Sequence, residues 1–347
     1  MPQFSLNEFE NGDLTGSFTQ YFKPKNFLIQ ELGLFTNVGS NSRFAGVDYY
    51  VSEDSDILLP TDNQRYGTDT NAINFRKTKT VALEIPMEET STKIGPKDWQ
   101  NKRSFGGVGE KTPEECIVEA TQKHADARDA YVEYKMASAL VNATQEAKDT
   151  ANEFIDYQTL FGSQFSALSV SLEASTFDVP GWIARTQSQV KRRARGLPLE
   201  RIFVFCAPEV YFSFMSHVSI KEMLKQTVSP FDPNNFLTNF TNYGGLEDVQ
   251  SFGFAGFIFI LCDDRMFGLL DENQCLIAPK FADGEQNPLK RYYTKASRDG
   301  LIAQQAPQTS YAYTYLTDRN HIELVTEVSA LAVNMLPSLY SKVTVTL

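Results

Sequence analysis

The sequence predicts an α+β protein organised around one long helix, a long two-stranded hairpin and a strand-rich C-terminal part. Three patterns carry that expectation. From Thr112 to Val141 an apolar spacing runs on for longer than a compact core can use. Before it, two alternating stretches flank a polar one. After it, short apolar strands and short helices take turns until the chain closes on a period of two.

Residues 1–45 are rich in Phe, Asn and Gly, with an apolar patch at Phe27, Leu28, Ile29, Leu32, Leu34 and Phe35. No period of two or 3.6 persists, so this part reads as an N-terminal arm that packs onto something else. From Gly46 to about Pro60 the chain reads as a strand (Val47, Tyr49, Val51), followed by a polar stretch from Thr61 to Asn71. Ile73, Phe75, Val81, Leu83 and Ile85 then share one parity, which completes a long hairpin with a loose tip. A two-stranded ribbon is marginal alone in water. Phe75, Val81, Leu83 and Ile85 are therefore expected to meet a neighbouring subunit.

A Gly-rich loop, Phe105 to Gly109, leads into the clearest helix. Thr112 sits at the N-cap, Pro113 at the first helical position and Glu115 at the third, a capping box with the favoured first-turn proline. Ile117, Ala120, His124, Ala127, Tyr131, Tyr134, Ser138 and Val141 follow at a 3-4 spacing that predicts one narrow seam along a spine of roughly 45 Å. A second helix is expected from about Pro180 to Arg195, closed by Gly196 and Pro198. Beyond it come a strand from Arg201 to Cys206, two short helices joined near His217, and a Pro/Asn-rich loop from Ser229 to Gly245. The strand Gly256 to Cys262 is almost wholly apolar, which predicts burial on both faces. Strands over Tyr311–Leu316 and His321–Val328 and an alternating tail close the chain.

Composition narrows the function. The chain of 347 residues carries a net charge of −11. Such a surface repels phosphate, which argues against a repressor or nuclease but suits a container whose wall should not grip DNA. No apolar run is long enough to cross a bilayer, and Met1 to Glu10 lacks the order of a secretion signal, so cytoplasmic synthesis is expected. Cys116, Cys206, Cys262 and Cys275 lie far apart in the sequence and read as buried thiols.

Each segment that resembles a chemical signature has a plainer reading. In Gly106–Thr112 the residue before Lys111 is Glu110, where a phosphate loop needs glycine, so a hinge into a capped helix is the better account. Asp263-Asp264 finds no third ligand at recognisable spacing and reads as a solvated strand end. Lys191, Arg192, Arg193 and Arg195 fall where cations complement a helix end; Arg192 and Arg193 are expected also to pair with an acidic neighbouring subunit. His124, His217 and His321 belong to no hydrolase or metalloprotease motif. No catalytic, cofactor-binding or metal-binding residue is assigned, and an enzyme is not expected.

The order of arm, hairpin, Gly-rich hinge, spine helix, second helix, mixed αβ unit and terminal strands resembles the Hong Kong 97-type capsid fold of tailed phages. Ala207-Pro208-Glu209-Val210-Tyr211-Phe212 through Lys221–Lys225, the stretch Gly253–Cys262, and the close at Ala330–Val333, Met335–Pro337 and Val343–Val345 resemble the lambda-like E family of major capsid proteins. That resemblance implies an arm (1–45), an extended loop (46–90), a peripheral domain (91–200 and 318–347) and an axial domain (201–317). It further implies self-assembly into pentamers and hexamers of an icosahedral shell enclosing double-stranded DNA, in the host bacterial cytoplasm, with the virion as destination. A separate scaffolding protein is expected, since the arm is short, together with a portal and a decoration protein. DNA would be touched only weakly and membrane not at all. The alternative from the same fold is an encapsulin-like compartment around a cargo enzyme.

Overall fold

The computed structural model describes residues 12–13, 28–50, 78–100, 111–146, 154–172, 177–194, 196–221, 249–317 and 321–346. The spine helix occupies Pro113–Val141, 29 residues, and starts as its sequence dictates. Thr112 Oγ1 accepts from the Glu115 N–H at 3.2 Å, and the Glu115 carboxylate accepts from the Thr112 N–H at 3.2 Å.

The buried face of this helix departs from the expected seam. His124, Ser138 and Val141 are buried, but Ala127 is exposed and Tyr131 and Tyr134 are only half-buried. Burial follows Thr121, Ala125, Val132 and Met136, and every residue from Lys135 to Val141 is enclosed. The last two turns of the helix run into the core with structure on all sides, where a helical period carries no information about exposure.

Two larger sheets organise the rest. One has four strands in the order Gly12–Asp13, Ser310–Leu316, Ile322–Ser329 and Met87–Ile94, all antiparallel. The other has six, in the order Ser251–Phe254, Phe257–Leu261, Leu199–Cys206, Gln274–Phe281, Ser341–Thr346 and Ser166–Ser171. Phe257–Leu261 is apolar throughout, and Ile202–Cys206 and Cys275–Pro279 are buried beside it, because both faces are covered. Phe203, Phe205, Ile258 and Ile260 point into the core shared with the spine helix. Ile202, Val204, Phe257 and Phe259 point into a second core beneath the helices Val179–Ala194 and Pro208–Ser216.

Both sheets cut across the boundaries expected at 200 and 317. Ser310–Leu316 pairs with the sheet of residues 87–94, whereas the tail Ser341–Thr346 lies between Gln274–Phe281 and Ser166–Ser171. The tail's alternation is as expected, with Val343 and Val345 buried and Thr344 and Thr346 exposed. Its partners are set by long-range register, which a local period does not encode.

The hairpin pairs Phe44–Tyr50 with Thr78–Glu84, placing Ala45 opposite Leu83 and Val47 opposite Val81. Here one expectation needs correcting. Leu83 and Ile85 are 8% and 1% exposed and belong to the chain's own core, with Ala45 and Val47 beside them. The strand Met87–Ile94 follows at once and pairs with Ile322–Ser329, which draws the base of the hairpin onto its own subunit. Val81 is partly buried against the same core. Phe75 and the expected tip lie outside the described residues.

Candidate assembly site and arm junction

No constellation for catalysis forms among the described residues. His124 bridges two strands, its Nε2 lying 2.6 Å from Thr92 Oγ1 and its Nδ1 3.0 Å from Thr326 Oγ1. His217 Nδ1 accepts from the Ser219 N–H, and the His321 ring lies against Gly95. Asp264 accepts from the Met266 N–H as a local cap, and no group of three or more metal-capable side chains is found among the described residues. Lys111 turns back to pair with Glu119. All four cysteines are buried thiols. Distance in sequence misled in one respect: Cys206 and Cys275 stand opposite each other on adjacent strands.

What the fold builds instead are rigid junctions and exposed apolar points. Glu327, 0% exposed, accepts from the Ser297 N–H (2.7 Å), Ser297 Oγ (3.2 Å), the Arg298 N–H (3.2 Å) and the Tyr313 hydroxyl (2.5 Å). That carboxylate pins the loop leading to Leu301, which is 76% exposed. After the buried strand, Arg265, Met266 and Phe267 take φ of 51°, 52° and 60° in succession, a left-handed turn closed by Gly268. Such backbone costs about 1–2 kcal/mol per residue. It seats Phe267 against Tyr134, ring centroids 5.9 Å apart.

Along Pro208–Ser216, Val210, Tyr211 and Phe214 face inward, while Phe212 and Met215 stand out at 50% and 40% exposure and Val218 follows at 47%. This apolar face was not singled out from sequence, although its signal was present: Tyr211 to Ile220 contains no charged residue. Of the basic cluster, Lys191 and Arg192 are exposed, whereas Arg193 donates to the Ser338 carbonyl at 3.3 Å. Arg195 lies outside the described residues.

The arm meets the spine at one buried carboxylate. The short helix Leu28–Leu32 directs its Ile29 and Gln30 N–H groups at Glu133, at 2.5 and 3.1 Å, and Gln30 Nε2 donates to the Asp129 carbonyl at 3.2 Å. Burial pushes the Glu133 carboxyl up to about 7, against the pull of those N–H groups. Beside it Arg128 grips Asp129 through two bonds of 2.6 and 2.9 Å. Arg291, 8% exposed, is pushed down to about 10, first by burial and then by Arg128.

The described residues present a docked arm segment, the base of a hairpin and several outward apolar points. The profile of the family described as phage major capsid protein E matches residues 12–345. The chain belongs to the phage major capsid protein E family. It is a structural protein of the capsid, and its place is the shell of a virion. The capsid of Myoviridae phage XM1 is similar in fold, with a TM-score of 0.52 at 10% identity over 94% of this chain and 93% of that one. The capsid of cyanophage P-SCSP1u gives 0.49 at 10% identity over 93% and 89% of the two chains. The SrpI encapsulin of Synechococcus elongatus PCC 7942 gives 0.47 at 10% identity over 91% and 86%. Of these three, only the XM1 capsid exceeds one half, and at that identity it speaks for the fold alone. No curated protein matches the chain. The expected Hong Kong 97-type α+β capsid fold therefore holds.

Proposed function

We propose that copies of this chain close into an icosahedral phage head of pentamers and hexamers around double-stranded DNA, and that the protein catalyses nothing. The family match across residues 12–345 is the observation that carries this reading. The net charge of −11 supports a wall that holds DNA without gripping it. Ring-forming contacts join one face of a copy to a different face of the next. The candidates are the extended hairpin through Phe75 and Val81, Arg192 and Arg193 at the end of Val179–Ala194, and the face of Phe212, Met215 and Val218. Residues 46–90 would serve as the extended loop, 91–200 and 318–347 as the peripheral domain that includes the spine, and 201–317 as the axial domain. Assembly is expected in the bacterial cytoplasm with a separate scaffolding protein, and a portal and a decoration protein complete the particle.

Expression of this chain alone, viewed by negative-stain microscopy, tests the proposal. Sheets, tubes and few correctly sized shells are expected, with regular shells once the scaffold is supplied. Uniform icosahedra from the single chain would remove the separate scaffold. A discrete small oligomer with turnover, or particles holding a protein cargo and no DNA, would overturn the phage-head reading.

A further inference from the structure

Three of the four cysteines meet at one end of the six-stranded sheet. Cys206 is the last residue of Leu199–Cys206, Cys275 the second of Gln274–Phe281, and Cys262 follows Phe257–Leu261. Cys206 and Cys275 stand directly opposite each other on antiparallel strands, both 0% exposed and both in the core beneath Val179–Ala194 and Pro208–Ser216. Cys262 belongs to the other face, in the core shared with the spine helix. Cys116 lies in a separate cluster with Ile94 and Ile322.

The ladder fixes how near the first two stand. The Ala207 N–H donates to the Gln274 carbonyl at 3.2 Å, and the Cys206 carbonyl accepts from the Cys262 N–H, on the far side of its strand, at 3.0 Å. The backbone of Cys206 therefore points away from Cys275, which makes the two a non-hydrogen-bonded pair. Such a pair brings its Cα atoms to about 4.5 Å and its side chains closest together. A disulfide spans Cα separations of about 4.4–6.8 Å, so the bond fits the sheet as it stands. The Cys206 thiol is already within hydrogen-bonding reach of Cys275.

We propose that Cys206 and Cys275 are a modification site, a dithiol that hydrogen peroxide closes to a disulfide stapling the two strands within one subunit. One sulfur attacks the O–O bond, becoming a sulfenic acid and releasing water. The other sulfur then displaces the hydroxyl as a second water, so two thiols and one peroxide give one S–S bond and two waters. Burial holds the Cys206 thiol well above its ordinary value, so thiolate is scarce while the sheet stays closed and the reaction is slow. Entry lies at the sheet's end, where Asp271, Glu272 and Asn273 just before the strand are exposed, as is Glu209 just after the other. Local opening there admits the oxidant. A virion persists in an oxidising medium, where such a bond lasts once formed. The closed loop carries the outward face of Phe212, Met215 and Val218, which the staple holds against unfolding. The chemistry itself does not depend on the phage-head reading.

Incubating the reduced full-length chain with dilute hydrogen peroxide over days tests this. Free thiols, counted after denaturation, should fall from four to two. Non-reducing peptide maps should join the segment of Cys206 to that of Cys275, and the thermal midpoint should rise by about 5 °C or more. Dithiothreitol should reverse both changes, which separates the staple from methionine oxidation. Cys116→Ser and Cys262→Ser should oxidise like the parent, whereas Cys275→Ser should form no disulfide within the chain. Four persisting thiols, a bond from Cys206 to Cys262, or a midpoint that stays or falls would overturn the proposal. Should Cys275→Ser not fold, the map of the parent chain decides, because it reads the pairing directly.

Discussion

His124 shows how a residue placed on an apolar stripe becomes a structural tie. Its two ring nitrogens reach hydroxyls on the strands Met87–Ile94 and Ile322–Ser329, so it joins the spine helix to two neighbouring strands at once. Burial pushes its pKa below the ordinary 6.5, which means the neutral ring is the form the fold accepts. A depressed histidine contributes stability above its unfolded value and loses it as pH falls toward the folded one. Replacing His124 with Ala should cost about 2–3 kcal/mol near neutrality, from lost packing and two lost hydrogen bonds. In urea unfolding, the advantage of the parent over His124→Ala should shrink as pH drops from about 7.5 to 5.5. A constant difference would show that the ring is not held neutral.

At the scale of the element, the described part of the hairpin is a base docked on its own subunit. Leu83 lies in the core of its own subunit, so Leu83→Asp should bury a charge without a partner and cost at least about 3 kcal/mol. That variant reports on folding and says little about assembly. Removing residues 58–74 and closing the hairpin with a two-residue turn leaves the base untouched. The shortened protein should keep the parent's thermal midpoint yet form no closed shell. Normal particles from it would take the hairpin out of the interface. The alternation of the hairpin was legible because a half-buried ribbon advertises its buried face with a period of two. Which body does the burying was not, since one parity can face its own subunit at the base and a neighbour further out.

For the whole molecule, the proposed shell is expected to draw its strength from non-covalent contacts between copies. Lys79 is exposed on the hairpin, and Lys77 beside it lies outside the described residues. Some capsids of this fold join such a lysine to a neighbour's asparagine, but the lambda-like pattern implies reinforcement by a decoration protein instead. Denaturing gels of virions should then show one band near 39.1 kDa. A ladder of multimers would establish covalent linkage.

By itself the sequence determined the elements whose physics is local. Thr112, Pro113 and Glu115 start the spine helix because the cap, the proline and the returning carboxylate act within one turn. The strand Phe257–Leu261 declared its burial on both faces because each of its residues is apolar. Tertiary structure decided whatever depends on partners distant in the chain. Glu133 became the arm's anchor point only when Ile29 and Gln30, about a hundred residues earlier, aimed their N–H groups at it. The left-handed turn at Arg265–Phe267 and the tail's entry into the six-stranded sheet have the same origin. Sequence periodicity reports which side of an element avoids water, and only packing and register choose what that side meets.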